Sequence, residues 1–173
     1  MIIVTDTGFL SSLLKIKRAE LLLKVFEVEN IFVPIQVLRE LEKSSFFDSV
    51  CYLFSYTKSN ESWVQVLLVE VTEDPEFGQG ELACIKLAKE KDALLLIDDK
   101  LAIEKAVSLG VSTLSLAGFL VLCRELKIVS NDELVSIISD LKKHDHYSFS
   151  KQNEKLILDE KYEQYSKSVR KAA

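Results

Sequence analysis

Five carboxylates carry the chemical interest of this 173-residue sequence. Asp98 and Asp99 stand side by side in "LLLIDDKLA", directly after the apolar run 94–97, and neighbouring carboxylates repel unless solvent or a cation neutralises them. Asp6 follows the apolar run 2–4 in "VTDTG", Glu81 lies in "GQGELA" where a helix begins, and Glu40 lies within the helical "VLRELEK". Hard divalent ions such as Mg²⁺ or Mn²⁺ take several such oxygen donors from separate segments while keeping waters for chemistry. Each acid also has an ordinary structural role. Asp6 and Asp99 can cap the helices that follow them, worth ~1 kcal/mol apiece. Asp98 can be an exposed loop charge, Glu81 can meet the positive end of a helix dipole, and Glu40 can belong to a solvated face with Arg39, Glu42 and Lys43. The case for chemistry rests on the set rather than on any one member.

The elements that would position these acids alternate between strand and helix. Strands are expected at 2–4, 31–33, 62–71 and 94–97, with "VSTLS" supplying a fifth. Helices are expected in "GFLSSLL", in "AELLLKVFEVE" and from Pro34 through "PIQVLRELEK". Ser44 and Ser45 can cap another through "FFDSVCYLFSYTK". "ELACIKLAKEK" carries Leu82, Ile85 and Ala88 or Lys89 on one stripe, and "KLAIEKAVSLG" stops at Gly110. "GFLVLCRELK" and a segment capped at Ser130 follow. This alternation, with strands apolar enough to be buried on both faces, predicts an α/β fold with a central, mainly parallel sheet of about five strands flanked by helices. Ligands of such sheets bind beyond the carboxyl ends of the strands, where Asp6, Asp98 and Asp99 fall. Glu40 reaches the same space if its helix leans over that edge.

At 48% hydrophobic residues the chain can bury a sizeable core, and no stretch is apolar for the ~18–20 residues that span a bilayer. The start "MIIVTDTGFL" lacks a basic leader and a small-residue cleavage site, so a cytoplasmic protein with no signal peptide and no membrane partner is expected. Cys51, Cys84 and Cys123 form no C-x-x-C and read as small core hydrophobes in a reducing compartment. The net charge of −5 excludes a general nucleic-acid coat. It does not exclude an enzyme acting on nucleic acid through a metal, because a bound divalent ion inverts the local field. His144 and His146 lie in a polar segment and read as surface residues. The organisation expected is a domain over 1–142 and a polar, helical extension over 143–173, with "NEKLILDEKYEQYSKSV" as a final helix packed loosely on the domain or on a partner.

The segments "IIVTDTGFL", "VPIQVLREL", "GQGELACIKLAKEKDALLLIDDKLAIEKAVSLGV" and "STLSLAGFLVLCRELKIV" resemble, in order over residues 1 to about 140, the PIN-domain (PilT N-terminus) ribonucleases. The likeness is greatest to the prokaryotic, often archaeal, VapC-like toxins with a double Asp in the fourth motif. The resemblance implies a single PIN-like domain and Mg²⁺- or Mn²⁺-dependent hydrolysis of RNA phosphodiesters. It implies that Asp6, Glu40, Glu81 and Asp99 (or Asp98) are the catalytic acids. Asp6 would be the central ligand, with Glu81 and Asp99 completing the cage. Glu40 would orient water or a second ion, Asp98 would be an auxiliary ligand, and Lys100 would contact substrate. A small antitoxin protein and a homodimer are further implications of the family.

Two positions depart from the family pattern. Gly8 stands where Ser or Asn is usual two places after the first Asp, and Ile103 stands where close relatives carry Arg, which removes a basic group near the site. Two other readings compete. A haloacid-dehalogenase-type phosphatase also begins with a strand ending in Asp, but needs a second Asp where Gly8 stands. A PIN scaffold that binds RNA or a protein partner without turnover fits the acidic charge and the absent Arg.

Overall fold

The computed structural model describes residues 1–55, 62–72 and 74–158. Among them six strands form one sheet: β1 (Ile3–Thr5), β2 (Ile31–Pro34), β3 (Phe54–Ser55), β4 (Val64–Leu67), β5 (Leu94–Leu96) and β6 (Thr113–Leu114). Their order is β3-β4-β2-β1-β5-β6 and every described pairing is parallel. Parallel neighbours need long crossovers, and helices lie between β1 and β2, β2 and β3, β4 and β5, and β5 and β6, with three more after β6. These are α1 (Thr7–Lys15), α2 (Leu21–Phe26), α3 (Ile35–Leu41), α4 (Gln79–Lys91), α5 (Lys100–Ser108), α6 (Leu116–Glu125), α7 (Asn131–His144) and α8 (Lys151–Leu158). The chain leaves β1 toward β2 on one side and later returns to place β5 on the other. The carboxyl end of β1 is therefore the point where the sheet order reverses, which is where open α/β sheets bind ligands.

The sheet has one strand more than expected. β3 lies in a segment whose pattern predicts a helix from Ser44; residues 56–58 of that segment lie outside the described residues. Two short 3₁₀ turns, Phe47–Ser49 and Cys51–Leu53, occupy the place instead. Ser44 does not cap a new helix: its hydroxyl donates back to the Leu41 carbonyl at 2.6 Å, closing α3. Phe46, Phe47, Val50, Tyr52 and Phe54 then supply aromatic and β-branched side chains that favour extended backbone over helix. Pro34 ends β2 and takes the extended cap conformation, so α3 starts at Ile35 rather than at the proline. The strand expected over 62–71 shrinks to Val64–Leu67 because its partner stops: Leu67 pairs with Pro34, beyond which β2 offers no ladder.

The core lies on both sheet faces. Phe9 of α1 and Phe119 of α6, both buried, meet edge to face at 5.7 Å, and Phe26 of α2 lies 5.9 Å from Phe119. α4 buries Gly80, Ala83, Cys84, Leu87 and Ala88 along with Ile85, so its inner face is turned slightly from the expected stripe through Leu82. Cys84 and Cys123 are buried as expected; Cys51 is exposed. Among the described residues no helix is long and apolar enough to cross a membrane. The described part of the C-terminal segment is not loosely held. Ile157 of α8 is fully buried, and Arg124 of α6 donates through Nη1 to the carbonyls of Leu156 and Ile157 at 2.9 and 2.7 Å. The remainder of the expected final helix, from residue 159, lies outside the described residues.

Candidate functional site

β1 delivers Asp6 to the reversal point. The Asp6 N–H donates to the Leu96 carbonyl at 3.1 Å, fastening the ends of β1 and β5 together. Its side chain caps α1, with Oδ1 accepting from the Phe9 N–H at 2.7 Å. The structural role considered for Asp6 is therefore real, but it uses one oxygen of a carboxylate only 8% exposed. Burial, opposed by the Phe9 hydrogen bond and reinforced by the charges of Asp98, Glu81 and Glu40, pushes the Asp6 carboxyl from its ordinary 3.8 up to about 7. An acid so placed is held against its preference for charge, and a cation would relieve it.

Glu40 reaches this space from the last turn of α3. Its Oε2 accepts from the Thr7 hydroxyl at the start of α1. Its other oxygen lies against α4 at Gly80, where a Cβ would stand 2.5 Å from Glu40 Oε1. Only a residue without a side chain lets that carboxylate approach so closely. Glu81, one residue on, folds back so that Oε2 accepts from the Gly78 N–H at 3.0 Å, satisfying one of the free donors at the start of α4.

The adjacent acids after β5 face different partners. Asp99 caps α5, accepting from the Ala102 N–H at 2.9 Å, and is exposed. Asp98 turns the other way and is half-buried: Oδ1 accepts from the Leu116 N–H at 3.0 Å at the start of α6, and Oδ2 accepts from the Tyr147 hydroxyl. Lys100 begins α5 beside them, yet its side chain is 88% exposed and lies 3.8 Å from Glu104.

Asp6, Thr7, Gly8, Glu40, Gly78, Glu81, Asp98 and Asp99 line one cleft of about 450 Å³. All five acids singled out in the sequence are among them; Lys100 is not. The donors are carboxylate oxygens alone, the set that hard divalent ions prefer. Among the described residues no group of three His, Cys, Asp or Glu side chains is arranged to hold an ion as it stands. The acids are occupied by Phe9, Thr7, Gly78, Ala102, Leu116 and Tyr147. The residues fit Mg²⁺ or Mn²⁺ by donor type, and a shared ion would require at least one of them to leave its present partner.

Three residues of the site escaped the sequence reading. Thr7 was legible only as the neighbour of an acid, and Gly80 only as part of a turn. Tyr147 lies beyond the motifs altogether, in the segment assigned to the extension. His144 and His146 are both exposed, as expected. At Gly8 a Cβ would stand an unstrained 3.7 Å from Asp6 Oδ2, so a small side chain fits beside the carboxylate and the backbone does not demand glycine.

Among solved structures, a PilT N-terminus domain protein, SSO1118, from the hyperthermophilic archaeon Sulfolobus solfataricus P2 is similar at 19% identity, with a TM-score of 0.49, over 86% of this chain and 100% of that one. No curated protein matches. The family model described as "PIN domain" (DUF3368) matches residues 2–163, nearly the whole chain and well past the motifs that first suggested it. With that match the phosphatase reading falls away: the chain belongs to the PIN-domain family, whose members are generally nucleases.

Proposed function

We propose that this protein is a Mg²⁺- or Mn²⁺-dependent endoribonuclease that hydrolyses RNA phosphodiester bonds, of the VapC-like kind that serves as the toxin of a toxin–antitoxin pair. The observation that supports the reading best is the gathering of five carboxylates from four segments around one cleft, with Asp6 buried at its base. When bound, a divalent ion supplies Lewis acidity toward the phosphate and a water acidic enough to attack it near neutral pH. Asp6, Glu81 and Asp99 would hold the ion, with Asp98 as an auxiliary ligand. Glu40, steadied by Thr7 and seated against Gly80, would orient the attacking water or a second ion. Lys100, exposed at the start of α5, would leave Glu104 to meet the RNA backbone. An antitoxin protein and a second copy of the chain are the partners this reading carries.

A second reading, a PIN scaffold that binds RNA or a protein without turnover, draws on specific observations. Lys100 lies toward Glu104, and among the described residues no three acids are arranged to hold an ion as they stand. Calorimetric titration with Mn²⁺ of wild type, Asp6→Asn and Asp99→Asn, with cleavage of an RNA pool by the same proteins, separates the two. Binding lost in both variants together with cleavage supports the nuclease. Wild type that binds no Mn²⁺ at millimolar concentration sinks it.

A further inference from the structure

Asp98 forms the wall between two cavities. It lines the acid cleft and also a smaller cavity of about 200 Å³ bounded by Gly8, Ser12, Leu116, Asp145 and Tyr147. Both of its oxygens are held by hydrogen bonds. One bond comes from the first turn of α6. The other comes from Tyr147, carried by a short segment that follows α7.

That segment is fastened at several points. Asp145 accepts from the Ser12 hydroxyl at 2.5 Å and pairs with Lys15 at 2.6 Å, both on α1, which Asp6 caps. His146 turns the chain through a left-handed conformation with φ 54°. The Tyr147 N–H then donates to the Leu141 carbonyl at 3.1 Å, and its ring packs on Phe149 with centroids 4.7 Å apart. Phe149 is buried. The hydroxyl is thus aimed by a strap tied to α1 and α7 rather than by a free surface side chain.

We infer that Tyr147 is a positioning residue: its hydroxyl holds the Asp98 carboxylate at the edge of the acid cleft and so sets how well that cleft binds a divalent cation. The inference rests on the metal-dependent reading above and assigns a role in it to the segment after α7. A hydrogen bond to an ionised carboxylate is stronger than one between neutral groups, and partners that orient ligating carboxylates typically contribute 10–100-fold to metal affinity.

The test is Mn²⁺ titration by calorimetry of the full chain as wild type, Tyr147→Phe, Asp98→Ala and the double variant, with thermal melts of each without metal. Tyr147→Phe keeps the ring on Phe149 and is expected to fold. It should bind Mn²⁺ about 10–100-fold more weakly than wild type, and in the Asp98→Ala background it should weaken binding no further. Tyr147→Phe that binds within about twofold of wild type overturns the inference while leaving the metal site standing. Equal weakening in both backgrounds overturns it too, since Tyr147 would then act through general stability. Wild type that binds no Mn²⁺ overturns the metal reading and this inference together.

Discussion

Replacing Asp6 by Asn should remove metal binding and yet stabilise the metal-free protein at neutral to alkaline pH. The carboxyl titrates at about 7 in the fold against an ordinary 3.8, with burial as the first cause and the charges of Asp98, Glu81 and Glu40 behind it. Because the folded pKa is the higher one, the native state holds its proton between these values while the unfolded chain has released it. Stability from this group is therefore full below the unfolded pKa and falls as pH rises toward and through about 7. At about 1.4 kcal/mol per pKa unit the total loss is about 4 kcal/mol, most of it between about pH 4 and pH 7. Asn cannot ionise, and its carbonyl can keep the cap that Asp6 Oδ1 makes with the Phe9 N–H at 2.7 Å. Its amide hydrogens need acceptors, which the cleft's carboxylates offer, so a net gain of about 1–3 kcal/mol is expected at about pH 8 after imperfect pairing.

The assay is urea denaturation in the presence of a chelator across that pH range, followed by the fluorescence of the single tryptophan, Trp63. Wild type should lose stability from about pH 4 to pH 7 and then level off, while Asp6→Asn stays nearly level throughout with respect to this group. Adding Mn²⁺ should then restore wild type by mass action, about 2.7 kcal/mol at a hundredfold excess over Kd, and leave the variant unmoved. Parallel pH profiles for the two proteins, or a variant less stable than wild type at about pH 8, would refute the claim that Asp6 is an electrostatically frustrated group relieved by a cation.

Other substitutions separate structural from chemical roles. Asp99→Asn should keep the cap on Ala102 and unfold within about 0.5 kcal/mol of wild type while losing Mn²⁺ affinity, whereas Asp99→Ala should lose both, the cap being worth ~1 kcal/mol; paired melts and titrations check this. Gly80→Ala should drive the Glu40 carboxylate off α4, since the new Cβ would stand 2.5 Å from Oε1, and should cut RNA cleavage by at least about tenfold with the helix intact by circular dichroism. Asp145→Ala breaks the contacts to Ser12 and Lys15; with Lys15 one-third exposed, the cost should be about 1–3 kcal/mol in urea denaturation rather than the larger penalty of a fully buried pair. Phe119→Ala, at the centre of the aromatic cluster, should cost about 3–5 kcal/mol by the same measurement.

The parallel sheet was legible because these buried strands announce themselves as short apolar runs ending at a polar residue or a proline, and β1, β2 and β5 lie within a residue of where such runs predict them. β3 was not, because two residues paired only with β4 carry no periodicity, and their aromatic surroundings also fit a helix face. Four of the acids were legible as types at strand ends and helix starts, and Glu40 as one within a helix. What each would touch was not. Glu40 needed Gly80, forty residues away in the chain, to seat it, and Asp98 needed Tyr147, a further forty-nine residues on. Contacts of that separation are fixed by the packing of whole helices, which a local pattern does not record.

The double Asp shows how the two levels join. Successive residues at a strand end point to opposite sides, so Asp98 and Asp99 cannot serve one partner in the same way. The fold uses the alternation: Asp99 starts α5 and Asp98 receives the start of α6, so the helices that follow β5 and β6 are both anchored on neighbouring carboxylates. Caps of this kind hold charge in place at the mouth of the cleft, and each leaves carboxylate lone pairs that the helix N–H does not use. Structural and chemical roles are therefore not alternatives at these positions. The capping bond fixes where the carboxylate stands, and its remaining lone pairs are what a cation would find.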